Sequence, residues 1–249
     1  MTKEDVLGQC IVEGNVVKLP PPQLERGLYL EVAKALQLIG GKWKGGKVFG
    51  FVFQNDPSEL LAQISSGQRR DIKKEYQFFA TPDGLADKLV EMAEIRNELS
   101  ILEPSAGQGA IINAIHRRYS SINVDCFELM DINQTFLLKL PNVKFQDSDF
   151  LGFSPLPKYD RIIANPPFTK NQDIDHIRHM FECLSPGGIL VSISSRHWTL
   201  SNNKKEKAFS DWLKSLNAEI TEIDPGVFKE SGTMVSGYIV KIKKQEGPA

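Results

Sequence analysis

Apolar positions recur at helical spacing at Leu24, Leu28, Val32, Leu36 and Ile39, which predicts a helix over residues 23–39. Three prolines in KLPPPQ forbid a helix before it, and Gly40 and Gly41 end it. The stretch KWKGGKVFGFVF then places Gly45 and Gly46 between two short aromatic-rich arms, a β-hairpin pattern. DPSELLAQI follows as a helix with Asp56 as cap and Pro57 in its first turn. Residues 1–75 thus predict a small α+β element of helix, hairpin and helix, joined onward by the polar run GQRRDIKKE.

From residue 76 to 249 the pattern changes. ATPDGLADKLVEMAEI predicts a helix with Thr81 as N-cap and Pro82 at its first position. Short apolar runs then alternate with amphipathic ones: SILEP, INVDCFEL, VKFQDSDF, YDRIIANPP, GILVSIS and AEITEI as strands, with helical segments between them. MVSGYIVKIK is a seventh strand, reached without a helix. Strict alternation predicts an α/β, doubly wound, mostly parallel seven-stranded sheet, and the helix-free last connection predicts one antiparallel edge strand.

Composition changes little in this picture. A chain of 249 residues, 41% hydrophobic and 24% charged, is ordinary for a globular protein. A net charge of −1 means that any nucleic-acid contact must come from local basic patches. The start MTKEDVLGQC lacks the apolar core of a signal peptide, and no run reaches membrane-span length, so a cytoplasmic location and no membrane partner are expected. Cys10, Cys126 and Cys183 are far apart, with no CxxC and no His pair at ligand spacing, so neither a metal site nor a disulfide framework is predicted.

The chemistry-bearing residues gather at strand ends. Gly107 and Gly109, in ILEPSAGQGAII, form a tight turn between the first strand and its helix, where a ligand can approach the backbone. Glu128, at the end of the second strand, stands at the distance at which an acid holds ribose hydroxyls. Ile112 replaces the third glycine of a dinucleotide fingerprint, which favours a nucleoside over NAD. Asp149 and Phe150 end the third strand, the carboxylate suited to an exocyclic amino group and the ring to a purine face. The fourth strand ends in Asn165-Pro166-Pro167-Phe168, where two prolines stop the ladder and stiffen the loop. In an open parallel sheet this carboxyl edge is the ligand-binding edge.

The order QFFATP, EPSAGQG, FEL, DSDF, NPPF resembles that of S-adenosylmethionine-dependent N6-adenine DNA methyltransferases, within them the group whose FxTP segment precedes the glycine loop. The resemblance covers about residues 76–243 and implies a class I, Rossmann-like methyltransferase fold. It implies that Phe79 and Thr81 meet the methionine part of the cofactor, and that Glu103, Ser105, Gly107 and Gly109 form the glycine loop. Glu128 would then bind ribose, Asp149 and Phe150 adenine, and Asn165, Pro166, Pro167 and Phe168 would form the catalytic loop. In that loop the Asn165 side-chain oxygen and the Pro166 carbonyl would accept the two N–H groups of the target amine, with Phe168 stacking on a flipped base. None of the three cysteines follows a proline, which excludes cytosine C5 chemistry.

DNA is the expected partner, double- or single-stranded. RNA comes second, and a glutamine side chain or a binding module without turnover stays open. Nothing comparable to a target-recognition domain follows NPPF, so either the small amino-terminal element reads the target or specificity is short or relaxed. Candidate nucleic-acid contacts are Lys42 and Lys44 in KWKGGK, the run RRDIKK, Lys170 after NPPF, and Arg196, His197, Trp198, Lys204 and Lys205 in the loop after the fifth strand; each basic run also fits a solvated face, and Trp198 is as open to packing as to stacking on a base.

Overall fold

The computed structural model describes residues 1–53, 56–68, 81–227 and 236–246. Two compact units divide the chain, Met1–Phe78 and Phe79–Ala249.

The first unit opens with helix α1 (Lys3–Gly8), whose Thr2 and Asp5 form a reciprocal capping box. Strands β1 (Ile11–Glu13) and β2 (Val16–Lys18) pair antiparallel across a two-residue Gly14-Asn15 turn, with Gly14 at φ +60°. Helix α2 spans Arg26–Leu38, starting three residues after the predicted start at 23. The predicted hairpin is β3 (Lys42–Lys44) with β4 (Gly50–Val52), and the sheet order is β1-β2-β4-β3. Helix α3 is Ser58–Ser65, and Asp56 Oδ1 accepts from the Ser58 amide at 2.9 Å. Val6, Leu7, Val17, Leu36, Phe51 and Leu60 are fully or almost fully buried in this unit.

The second unit alternates helix and strand: α4 (Asp83–Met92), β5 (Ile101–Glu103), α5 (Ala110–Arg118), β6 (Val124–Phe127), α6 (Asp131–Leu137), β7 (Val143–Asp147) and β8 (Tyr159–Ala164). After a 3-10 turn at Thr169–Asn171 come α7 (Gln172–Cys183), β9 (Leu184–Ser195), α8 (His197–Leu200), α9 (Lys204–Ser215), β10 (Glu219–Ile223) and β11 (Gly237–Lys243). These strands form one sheet in the order β10-β11-β9-β8-β5-β6-β7, and the pairs from β9 through β7 are all parallel. The antiparallel strand is β11, and it lies one place in from the edge predicted for it. Burial explains the order: Ile239, Val240 and Ile242 of β11 are fully buried, whereas β10 exposes Glu219 and Ile220.

Alternation along the strands makes two cores. Ile101, Ile163, Val191 and Ile239 pack with Leu89, Ile111 and Ile115 of α4 and α5. On the other face Leu102, Ile162, Leu190 and Val240 pack with Ile177 and Met180 of α7 and Phe209 of α9. Strands buried on both faces are what continuous apolar runs encode. The chain builds outward from β5 through β6 to β7, then returns to β8 on the other side of β5. That reversal opens a crevice at the carboxyl ends of β5 and β8.

No described helix is long and apolar enough to cross a membrane. Among the described residues no group of three or more His, Cys, Asp or Glu side chains could hold a metal ion.

Candidate active site

Across the carboxyl edge the strands deliver Asn165 just after β8, Glu103 at the end of β5, Glu128 just after β6, and Asp149 just after β7. This part of the sequence-predicted constellation therefore stands at the carboxyl ends of four adjacent strands around the switch point. A polar groove of about 680 Å³ lined by Ser100, Asn123, Lys144 and Tyr159 lies among the residues at the start of these strands and contains none of it.

Gly107 (φ +55°) and Gly109 (φ +83°) turn the chain from β5 into α5 with left-handed backbone. A Cβ on Gly109 would lie 2.6 Å from Leu140 Cδ1, so this cradle takes no side chain without a shift. Glu128 locks the loop to β6. Its Oε2 accepts from the Gly107 amide at 2.6 Å, and its Oε1 accepts from the Met130 amide at 2.8 Å and from Asn133 Nδ2 at 3.3 Å. Burial raises the Glu128 carboxyl above its ordinary value, and the Met130, Gly107 and Asn133 donors pull it part of the way back.

Glu103 is 1% exposed. Burial, then the nearby Glu128 charge, raise its carboxyl well above 4.5, against one hydrogen bond from the Ile112 amide. Its Oε2, together with Ser105 Oγ and Asn133 Oδ1, is buried without a hydrogen-bond partner. Such orphaned atoms are rare in folded proteins and fit a site that a polar ligand completes. Asn133, fully buried on α6, is a further candidate that sequence reasoning missed; only its place five residues after Glu128 hints at it.

The catalytic-loop candidates hold a defined geometry. Asn165 Nδ2 donates to Thr81 Oγ1 at 3.1 Å, which orients the carboxamide. Thr81 is not the helix cap predicted from sequence: Pro82 occupies that position without a side-chain cap bond, and the Thr81 hydroxyl serves Asn165 instead. Pro166 is buried, while Pro167 and Phe168 are half-buried, with Phe168 packed against the α4–α5 core. Lys170, directly after the loop, is exposed.

Two aromatic expectations need correction. The Phe150 ring, expected to cover a purine, is 2% exposed and enclosed by Phe127 and by His176 and His179 of α7, at centroid distances of 5.3, 5.8 and 4.7 Å. Trp198, a nucleic-acid candidate that the sequence left equally open to packing, is 7% exposed; its ring packs on Phe209 and Tyr238, and its Nε1 donates to Ser194 Oγ at 3.1 Å. A ring held this way is core.

The other predicted positions are at the surface. Asp149 is exposed and accepts from the Leu151 amide at 3.0 Å. Arg196 pairs with Glu222 at 3.0 Å and lies over the Tyr238 ring. His197, Lys204 and Lys205 are exposed, Lys205 pairing with Asp175 at 2.7 Å. Lys42 and Lys44 are exposed on β3 of the first unit. Phe79 and the run RRDIKK lie outside the described residues, as does most of the turn before β11.

No protein-family profile matches the chain. It is 26% identical over 178 residues to the type II methyltransferase M.AccI of Acinetobacter calcoaceticus, an alignment covering 69% of this chain and 32% of that protein. It is 23% identical over 167 residues to the release factor glutamine methyltransferase of Fusobacterium nucleatum, covering 64% of this chain and 42% of that one. The chain thus spans less than half the length of either relative. A solved Listeria monocytogenes structure, assigned to the class I S-adenosylmethionine-dependent methyltransferases, superposes with a TM-score of 0.55 at 13% identity, over 77% of this chain and 68% of that one. With its mostly parallel seven-stranded sheet and reversed strand order, the chain has the class I S-adenosylmethionine-dependent methyltransferase fold.

Proposed function

We propose that this chain binds S-adenosylmethionine at the Gly107–Glu128 cradle and transfers its methyl group to the N6 amino group of adenine in DNA. The observation that carries this reading is the Asn165–Thr81 hydrogen bond, which fixes the carboxamide at the switch point beside the glycine turn.

The residues present fit the cofactor. The buried, partnerless Glu103 Oε2, Ser105 Oγ and Asn133 Oδ1 fit a ligand rich in hydroxyl and amino groups. Glu128 would hold the ribose hydroxyls, and Asp149 the adenine amino group. Bound there, S-adenosylmethionine supplies an electrophilic methyl group.

The protein's task is to make a poor nucleophile available. An adenine amino nitrogen has its lone pair delocalised into the ring. With Nδ2 committed to Thr81, the Asn165 carboxamide turns its oxygen away from that bond, and this oxygen and the Pro166 carbonyl accept the two N–H groups. They favour a pyramidal nitrogen and stabilise the positive charge that grows on it. When bound, S-adenosylmethionine would supply the methyl group and its sulfur would keep the bonding electron pair, and the surplus amino proton would leave to solvent. The two prolines hold both acceptors in place, which matters because small misplacements are costly in rate.

A second reading is methylation of a glutamine side chain. The release-factor relative favours it, since a carboxamide offers the same planar NH₂. The deciding experiment supplies methyl-labelled S-adenosylmethionine with mixed-sequence DNA, RNA and a glutamine-rich peptide, followed by mass spectrometry of nucleosides and peptides. N6-methyladenine in DNA, absent with Asn165→Ala, is the expected product. Label only in RNA or only in peptide would replace the DNA assignment, and no label in any acceptor would refute methyl transfer to these substrates.

A further inference from the structure

The chain leaves the Asn165–Phe168 loop through two successive non-glycine residues with left-handed backbone, Lys170 at φ +53° and Asn171 at φ +59°. Asparagine adopts such a conformation readily, but it is uncommon for lysine and is held there by its surroundings. Here two contacts do so. Asn171 Nδ2 donates to Glu206 Oε1 at 2.8 Å, and Glu206, in the first turn of α9, is 4% exposed. Two residues on, Asp173 is completely buried, and its Oδ2 accepts from both the backbone N–H and the Oγ–H of Ser195, each at 2.8 Å.

Ser195 ends β9 and Glu206 lies in the first turn of α9. The exit of the loop is therefore fastened to both sides of the Arg196–Asn203 segment, in which the sequence places candidate nucleic-acid contacts. A buried carboxylate is costly unless it does something an apolar residue cannot. Asp173, in the first turn of α7, is raised above its ordinary value by burial and pulled part of the way back by the Ser195 donors and the Ile174 and Asp173 amides.

We infer that Asn171 and Asp173 are positioning residues, which through Glu206 and Ser195 hold the strained exit of the Asn165–Phe168 loop in its reactive placement and tie that placement to the Arg196–Asn203 segment. The inference rests on the methyl-transfer reading for its rate consequences, but the clamp itself can be measured without turnover.

The test uses the full chain with three variants. Asn171→Gly adopts the left-handed backbone without strain and removes only the clamp, Glu206→Ala removes its acceptor, and Glu206→Gln keeps an oxygen for Asn171. In the first two, kcat is expected to fall about tenfold or more, with affinity for S-adenosylhomocysteine changed less than about twofold, while Glu206→Gln restores most of the rate. Amide hydrogen exchange over residues 165–171, with S-adenosylhomocysteine present, is expected to quicken in the same two variants. An unchanged kcat, unchanged exchange, or a loss of cofactor affinity matching the loss of rate would each overturn the inference. If the unaltered chain methylates nothing, the exchange data alone decide: quicker exchange upholds the clamp while the methyl-transfer reading falls, and equal exchange removes the clamp.

Discussion

Thr81→Val separates two roles for one hydroxyl. The family resemblance gives Thr81 the methionine end of the cofactor, whereas the structure gives its Oγ1 to the Asn165 carboxamide at 3.1 Å. Valine has nearly the same shape, so at a position 7% exposed the substitution removes an acceptor without opening a cavity. A half-buried hydrogen bond contributes about 0.5–1.5 kcal/mol net, and if that orienting energy is felt at the transition state the rate falls about 2- to 13-fold. The expected outcome is a drop in kcat of that size at saturating cofactor, an unchanged Kd for S-adenosylhomocysteine by calorimetry, and recovery in Thr81→Ser. Thermal unfolding close to that of the unaltered chain checks that the fold is intact. A rise in cofactor Kd with kcat preserved would refute the reasoning: Thr81 would then serve the cofactor, and its bond to Asn165 would have no part in the chemistry.

Other perturbations read other parts of the site. Gly109→Ala keeps a left-handed φ of 83° and brings a methyl group to 2.6 Å from Leu140 Cδ1; it is expected to lose about 1–2 kcal/mol in urea unfolding from the backbone alone, and cofactor affinity with it, and unchanged stability would contradict the cradle. Glu103 has a raised carboxyl in the fold, so its contribution to stability is complete below 4.5 and is lost as pH rises through the raised value. Glu103→Gln should therefore flatten the decline of unfolding free energy above 4.5 by up to about 1.4 kcal/mol per pH unit, and an unchanged slope in urea titrations would contradict the assignment. Trp198→Ala empties a core position and is expected to cost about 3–5 kcal/mol in unfolding free energy. Selective loss of oligonucleotide binding at intact stability would instead return Trp198 to the surface role read from sequence.

What the sequence makes legible is what its local pattern encodes. Runs such as RIIA and GILVSIS announce strands buried on both faces, and the glycine turn, Glu128 and NPPF fall at strand ends whose common edge follows from strict alternation. The first hairpin escapes because β1 and β2 are three residues each, too short for a period to show, although Gly14-Asn15 is a hairpin turn signal. The place of β11 escapes for another reason: which of two helix-free strands is inserted next to β9 depends on burial on both faces, and only the partners decide that.

The misread aromatics show the same division in the site itself. Trp198 sits among Arg196, His197 and Thr199 and reads as a polar loop, yet its ring is buried by Phe209 and Tyr238, 11 and 40 residues away. Phe150 is enclosed by histidines that its own neighbourhood does not reveal. Conversely, the bonds that give the candidate loop its geometry join residues far apart in sequence, Thr81 to Asn165 across 84 positions and Asn171 to Glu206 across 35. A motif names the groups that can do chemistry, whereas their orientation is a long-range property. For that reason variants of Thr81, Asn171 and Glu206, none of them in the NPPF motif, test the mechanism more sharply than replacing Asn165: they leave every reacting group in place and alter only how firmly it is held.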